Sequence, residues 1–175
     1  MINGLEIFSG AGGLATGVGL SGISHNAFVE WNSDACKTLR MNYPASLIHE
    51  TDIRDFDFSR YNCVDFIAGG PPCQPFSLGG KAQSHLDKRD MFPAAIRAIR
   101  EVLPKVFMFE NVKGLADPRN SKALEYILGR IRQAGYHAGT YLLNAYDYGV
   151  PQTRVRIYIV GFKEEKYHQR FHIPS

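Results

Sequence analysis

Cys73 stands in the run Gly69-Gly70-Pro71-Pro72-Cys73-Gln74-Pro75-Phe76-Ser77, which comes directly off a short apolar segment. Prolines on both sides restrict the backbone and hold a thiol outward, which suits a nucleophile. Cys36, on a predicted helix face, and Cys63, close to an apolar run, fit the packed kind of cysteine better. Glu110-Asn111-Val112 ends a second apolar segment. A carboxylate there, close to a thiol, can serve as proton donor or hydrogen-bond partner, whereas a strand-end Glu in solvent is the plainer use. Gln152-Thr153-Arg154-Val155-Arg156 leads into a third segment, and period-two spacing sets Arg154 and Arg156 on one side. Two such arginines can clamp a phosphate or a carbonyl oxygen, or simply form a solvated strand face.

A second constellation begins at Phe8-Ser9-Gly10-Ala11-Gly12-Gly13, between an apolar segment and a helical one. A glycine turn in that place presents free backbone N–H groups and a positive helix end to a ligand. Gly10-x-Gly12-x-x-Ala15, with Glu30 twenty residues after Gly10, matches the dinucleotide fingerprint, so a nicotinamide oxidoreductase competes for the same residues. A tight strand-to-helix turn with no ligand is the other use of such glycines. Glu30 falls at a strand end, where a carboxylate can accept both hydroxyls of a ribose. Trp31 offers a flat face for an adenine, although a lone Trp is commonly a core residue. Asp52 can bind an adenine amino group or cap a turn.

Such residues need a scaffold that delivers several chain segments to one rim. Apolar runs alternate with amphipathic stretches, which predicts an α/β fold, a parallel sheet covered by helices on both faces. Strands are expected at Leu5–Phe8, Asn26–Glu30, Leu47–His49, Val64–Ala68, Val106–Phe109, Gly139–Leu143 and Val155–Val160. Helices are expected at Leu14–Leu20, at Ser33–Met41, and at Met91–Leu103 with Phe92, Ala95, Ile96, Ile99 and Leu103 on one face. A fourth runs from Ser121 as N-cap to a stop at Gly135, with Leu124, Leu128 and Ile131 stacked on one side. Pro71–Lys88 lacks periodicity, and a loop that long in a compact domain is usually functional.

The chain has 175 residues, 45% of them hydrophobic, enough for the core of one domain spanning 1–175. A net charge of +3 and an isoelectric point of 8.8 tolerate a polyanion without requiring one. Three cysteines without C-x-x-C spacing or a histidine cluster argue against a disulfide framework or a structural metal, and fit a reducing cell interior. No apolar stretch reaches the roughly 18 residues of a membrane span, and the first apolar run begins too early for a signal peptide, so a soluble intracellular protein is expected.

Taken together, FSGAGG, GGPPCQPFS, ENV and QTRVR occur in the order and approximate spacing of the motifs of DNA (cytosine-5)-methyltransferases, and the chain resembles the restriction-modification type of that family over almost its whole length. The dinucleotide reading uses only the glycines and Glu30; this one also uses Cys73, Glu110 and Arg156. The resemblance implies a Rossmann-like S-adenosylmethionine-dependent methyltransferase fold with a mostly parallel sheet and no metal. It implies that Cys73 attacks carbon 6 of a flipped-out cytosine, that Glu110 holds N3 and the exocyclic amine, and that Arg156, with Arg154 beside it, binds O2. For S-adenosylmethionine it implies Phe8, Gly10 and Gly12 around the methionine part, Glu30 on the ribose, Trp31 on the adenine face, Asp52 and Ile53 at the adenine edge, and Pro72 lining the pocket. Lys81, His85, Lys88 and Arg89 would belong to a loop that closes over double-stranded DNA. Leu5-Glu6-Ile7 stand where the family often has an Asp.

The family also leads one to expect a target-recognition domain and a final helix, neither of which is found within 1–175. The expectations are therefore a split enzyme with a second polypeptide or a truncated one, acting in the cytoplasm or nucleoid. An RNA cytosine-5 methyltransferase and a non-catalytic cofactor-binding subunit are the alternatives.

Overall fold

The structure is a computed structural model and describes residues 1–72 and 90–174. Seven strands form one sheet: β1 (Ile2–Ile7), β2 (Ile23–Glu30), β3 (Ile48–Glu50), β4 (Phe66–Gly69), β5 (Val106–Val112), β6 (His137–Asn144) and β7 (Val155–Phe162), in the order β3-β2-β1-β4-β5-β7-β6. The first five strands in that order pair in parallel, and β7 runs antiparallel between β5 and β6. Helices α1 (Gly13–Leu20), α2 (Ser33–Asn42), α3 (Phe92–Val102), α4 (Ser121–Gln133) and α5 (Glu165–Arg170), together with several short 3-10 turns, lie between or after the strands. No helix among the described residues is long and apolar enough to cross a membrane.

Strand alternation splits the core in two. Leu5, Ile7, Val29, Ile67, Phe107, Phe109, Ile157 and Ile159 pack on one face against Phe92, Ala95 and Ile99 of α3 and Ile127 and Ile131 of α4. Phe28 faces the other way and packs with Ala15 of α1, Cys36 and Leu39 of α2, and Ile48. Helices therefore cover both faces, as the alternating pattern predicts. Gly161 of β7 pairs with Phe107 of β5, and a Cβ there would stand only 2.1 Å from the Phe107 ring. The aromatic ring fills the space that any side chain at 161 would need.

Several strands extend beyond their expected limits where polar or glycine residues obscure the pattern, as at Ile2-Asn3-Gly4, whereas β4 starts at Phe66 and not Val64, β3 at Ile48 and not Leu47, and Phe8 falls outside β1. Four further expectations need correction. Ser121 is the first helical residue, not the N-cap; Asn120 holds that position without a side-chain cap, its amide donating instead to the Gly114 carbonyl. The buried seam of α4 is Ala123, Ile127 and Ile131, with Leu124 and Leu128 only half-buried, because the helix is rotated toward the smaller residues. Leu103 leaves the apolar face of α3: it adopts a positive φ of 55° as the C-cap and is 57% exposed. Cys63 is exposed, whereas Cys36 is buried as expected. The short helix α5, rich in charged residues, carries no apolar period to announce it.

One buried group on β1 conflicts with its surroundings. Glu6 is only 1% exposed and neither carboxylate oxygen has a hydrogen-bond partner. Burial pushes its pKa up to about 8, only partly offset by the nearby Ala15 amide of α1, which approaches the carboxyl without completing a hydrogen bond. The folded state therefore keeps a proton that the unfolded chain releases at 4.5. Stability from this group is complete below pH 4.5 and is lost progressively as pH rises through 8. A tenfold change in proton affinity is worth ~1.4 kcal/mol, so the loss should reach a few kcal/mol. Glu6→Gln should abolish that component, which urea midpoints measured for both proteins between pH 5 and pH 8.5 would reveal as converging curves at low pH; parallel curves would exclude a buried neutral carboxyl.

Candidate active site

In a parallel sheet the strand ends that carry the loops to helices lie on one rim. Phe8, Glu30, Asp52, Pro72 and Glu110 all follow or occupy the carboxyl ends of β1, β2, β3, β4 and β5. Because β7 is reversed, its amino end reaches the same rim, and the register sets Val112 opposite Arg156 and Glu110 opposite Tyr158. Arg156 Nε lies 3.0 Å from Glu110 Oε1, and Arg154 Nη2 lies 3.6 Å from that same oxygen. The two arginines do share one side, as their spacing predicts, and what they flank is Glu110. Its other oxygen, Oε2, faces Gly70, 3.5 Å from where a Cβ at that position would lie. Glu110 is thus a half-buried carboxylate set between two cations and the start of the cysteine loop, not a free strand end.

Asn111 is a residue to which the sequence reading assigned nothing. It is 5% exposed; its Nδ2 donates to the Pro71 carbonyl at 2.9 Å, and its Oδ1 accepts from the Val112 amide at 2.8 Å. An amide buried in an otherwise apolar strand must find such partners, and that is the sequence signal that could have exposed its role. The Met91 amide donates to the Pro72 carbonyl at 3.2 Å, tying the start of α3 to the segment after β4. Cys73, Lys81, His85, Lys88 and Arg89 lie outside the described residues.

The glycine turn is held by Glu30. This carboxylate is 7% exposed and accepts from three backbone amides: Gly10 at 2.8 Å on Oε2, and Trp31 at 3.0 Å and Asn32 at 2.8 Å on Oε1. The turn needs unusual backbone. Phe8 has φ 53°, rare for a residue with a side chain, and such strain is often concentrated where ligands bind. Gly12 has φ 90°, a conformation that favours glycine, and a Cβ there would also crowd the end of the Leu39 side chain at 2.9 Å.

Beside the turn lies a cavity of about 480 Å³, within the usual range for a small-molecule site. Phe8, Glu30, Trp31, Asp52, Ile53 and Pro72, six of the residues expected around a cofactor, line it. Gly10 and Gly12 shape the turn and do not line the cavity, while Val29, Thr51, Arg54 and Met91 line it without having been expected. Trp31 is 74% exposed at the mouth and is not a core residue. Asp52 has the capping role that its position also allowed: Oδ1 accepts from the Arg54 amide at 2.8 Å, and the Arg54 guanidinium engages both oxygens. That hydrogen bonding holds the Asp52 carboxyl below its ordinary range. Among the described residues no group of three metal-ligating side chains occurs.

The strand order separates this rim from the dinucleotide-binding alternative. The classic dinucleotide fold runs 3-2-1-4-5-6, whereas here a reversed strand stands between β5 and β6 and brings Arg154 and Arg156 to Glu110.

The family model for C-5 cytosine-specific DNA methylase matches residues 2–175. Type II methyltransferase M.NgoMIV of Neisseria gonorrhoeae is 45% identical over 161 residues, covering 92% of this chain and 52% of the relative. M.AquIA, a Type II methyltransferase of Picosynechococcus, is 40% identical over 174 residues, covering 90% of this chain and 70% of the relative. A DNA modification methyltransferase encoded within a prophage of E. coli superposes with a TM-score of 0.78 at 27% identity, over 99% of this chain and 49% of that one. The chain thus spans about half the length of the first and third of these proteins. With a seven-stranded Rossmann-like sheet and a family match over all but its first residue, the chain belongs to the C-5 cytosine-specific DNA methylase family.

Proposed function

We propose that this chain carries the chemistry of a restriction-modification methyltransferase that methylates carbon 5 of a flipped-out cytosine in double-stranded DNA, with S-adenosylmethionine as cofactor. The observation that supports this reading best is Glu110, held at 3.0 Å by Arg156 with its other oxygen toward Gly70, three residues before Cys73. The cavity beside the glycine turn fits the cofactor: a buried carboxylate, a flat indole at the mouth and apolar walls suit a ribose, an adenine and its surroundings. When bound there, S-adenosylmethionine supplies an electrophilic methyl group.

Carbon 5 of cytosine is a poor nucleophile. The Cys73 thiolate adds to carbon 6, forming a carbon–sulfur bond and shifting the double-bond electrons toward carbon 5. Glu110 holds N3 and the exocyclic amine as charge develops on the ring. Arg156, seconded by Arg154, serves two ends: it orients Glu110, and it stabilises negative charge on the base's O2. Carbon 5 then takes the methyl group with that electron pair, the methyl–sulfonium bond breaking to leave a neutral thioether, and loss of the carbon-5 proton to a solvent base restores the ring double bond and expels the Cys73 thiolate. Stacked duplex hides carbon 6, so the target base must leave the helix, and the basic residues after Cys73 are proposed to meet the phosphates. A second polypeptide is proposed as partner, and assays pair the chain with the product of the adjacent reading frame.

Methyl transfer to duplex DNA should be detectable in that assembly and should vanish in Cys73→Ser; full activity of that variant would exclude the thiol mechanism. Methylation of tRNA alone would establish the RNA alternative instead. Glu110→Gln should lower kcat by roughly 10²–10⁴, the usual worth of a positioned acid–base group. Trp31 is the chain's sole tryptophan and lies at the cavity mouth, so S-adenosylhomocysteine should change its fluorescence and NAD should not. A response to NAD alone would favour the oxidoreductase.

A further inference from the structure

Arg97 belongs to α3, away from both constellations read in the sequence, yet its guanidinium crosses to the segment after β3. Nη2 donates to the Ile53 carbonyl at 2.6 Å and the Phe56 carbonyl at 3.2 Å, with the Arg54 carbonyl at 3.4 Å. Nη1 pairs with Glu101 at 3.1 Å, and the guanidinium carbon stands 5.0 Å over the Phe58 ring. The gripped segment is the single 3-10 turn Ile53–Asp55, capped by Asp52, and Asp52, Ile53 and Arg54 form one wall of the cavity. A short turn leaves carbonyls without internal partners, and a forked cation is the side chain best shaped to collect several of them. Meanwhile Met91, the N-cap of α3, lines the same cavity and donates to Pro72. One helix thus touches the site at two points, at its N-cap and through Arg97.

We propose that Arg97 is a positioning residue for the cofactor's adenine end: by holding the carbonyls behind the Asp52–Ile53 turn it fixes the wall that reads the adenine edge. This rests on the cofactor reading given above. The turn has other anchors, since Ile53, Phe56 and Phe58 are buried in the main core. Removing the guanidinium should loosen the turn without unfolding the protein.

The test titrates S-adenosylhomocysteine and its hypoxanthine analogue, S-inosylhomocysteine, into the chain assembled with its proposed partner, as wild type, Arg97→Met, Arg97→Lys and Glu101→Gln. Arg97→Met should bind S-adenosylhomocysteine about tenfold more weakly, consistent with the loss of charged hydrogen bonds, and discriminate less between the two ligands. Arg97→Lys, able to reach fewer carbonyls, should fall between, and Glu101→Gln should remain within about twofold of wild type. In methyl transfer the KM for S-adenosylmethionine should rise while kcat holds. Wild-type affinity and discrimination in Arg97→Met, or a fall in kcat with KM unchanged, would overturn the inference. Should Arg97→Met not fold, wild-type affinity in the folded Arg97→Lys protein decides against it in the same way. A wild-type protein that binds neither ligand would instead remove the cofactor reading, and this inference with it.

Discussion

The geometry of the rim rests on one buried carboxylate. Glu30 closes β2 and gathers the amides of Gly10, Trp31 and Asn32, so two neighbouring strands are joined at their ends by side chain as well as by their ladder. A carboxylate with roughly four acceptor positions can hold these three donors and still present one toward a ligand. The arrangement explains why the turn tolerates positive φ at Phe8, Gly10 and Gly12: hydrogen bonds at its centre offset the backbone cost. It also makes the cavity's polar floor a structural member. A group that binds ligand and holds the fold at once cannot be altered without affecting both.

The reversed strand is the second constraint. In a sheet of parallel strands only carboxyl ends reach the rim. Running β7 backwards brings an amino end there too, and with it Arg154 just before the strand and Arg156 near its start. Glu110 and Arg156 meet because two strands of opposite sense place their useful ends side by side. Asn111 then links this pair to the cysteine loop through Pro71. The rim is consequently built from local pairings, each between neighbours in the sheet.

Most of this was legible in the residues. Alternating apolar segments gave the strands, and the glycine and proline runs marked the turns where ligand and thiol would sit. Period-two spacing put Arg154 and Arg156 together. What escaped was of another kind. Asn111 and Arg97 act through contacts with backbone carbonyls distant in the chain, which leave no periodic trace. The orientation of β7 was also hidden, since a strand's apolar pattern reads the same in either direction. The Asp52 position allowed two uses, and only the placement of Arg54 shows the carboxylate occupied. The rotation of α4 by about one residue shows the same limit, because Leu124 and Leu128 look better suited to a core than Ala123 does.

Phe107 and Gly161 give the rim a tolerance of a different sort. A strand displaced by one residue turns every side chain to the wrong face, and here the Phe107 ring can lie across β7 only where β7 has no side chain. The pairing therefore works as a gauge cut into the sheet, three positions before Glu110 along β5 and five beyond Arg156 along β7. The alignment of the acid with its arginine is inherited from a missing methyl group near the opposite edge of the sheet.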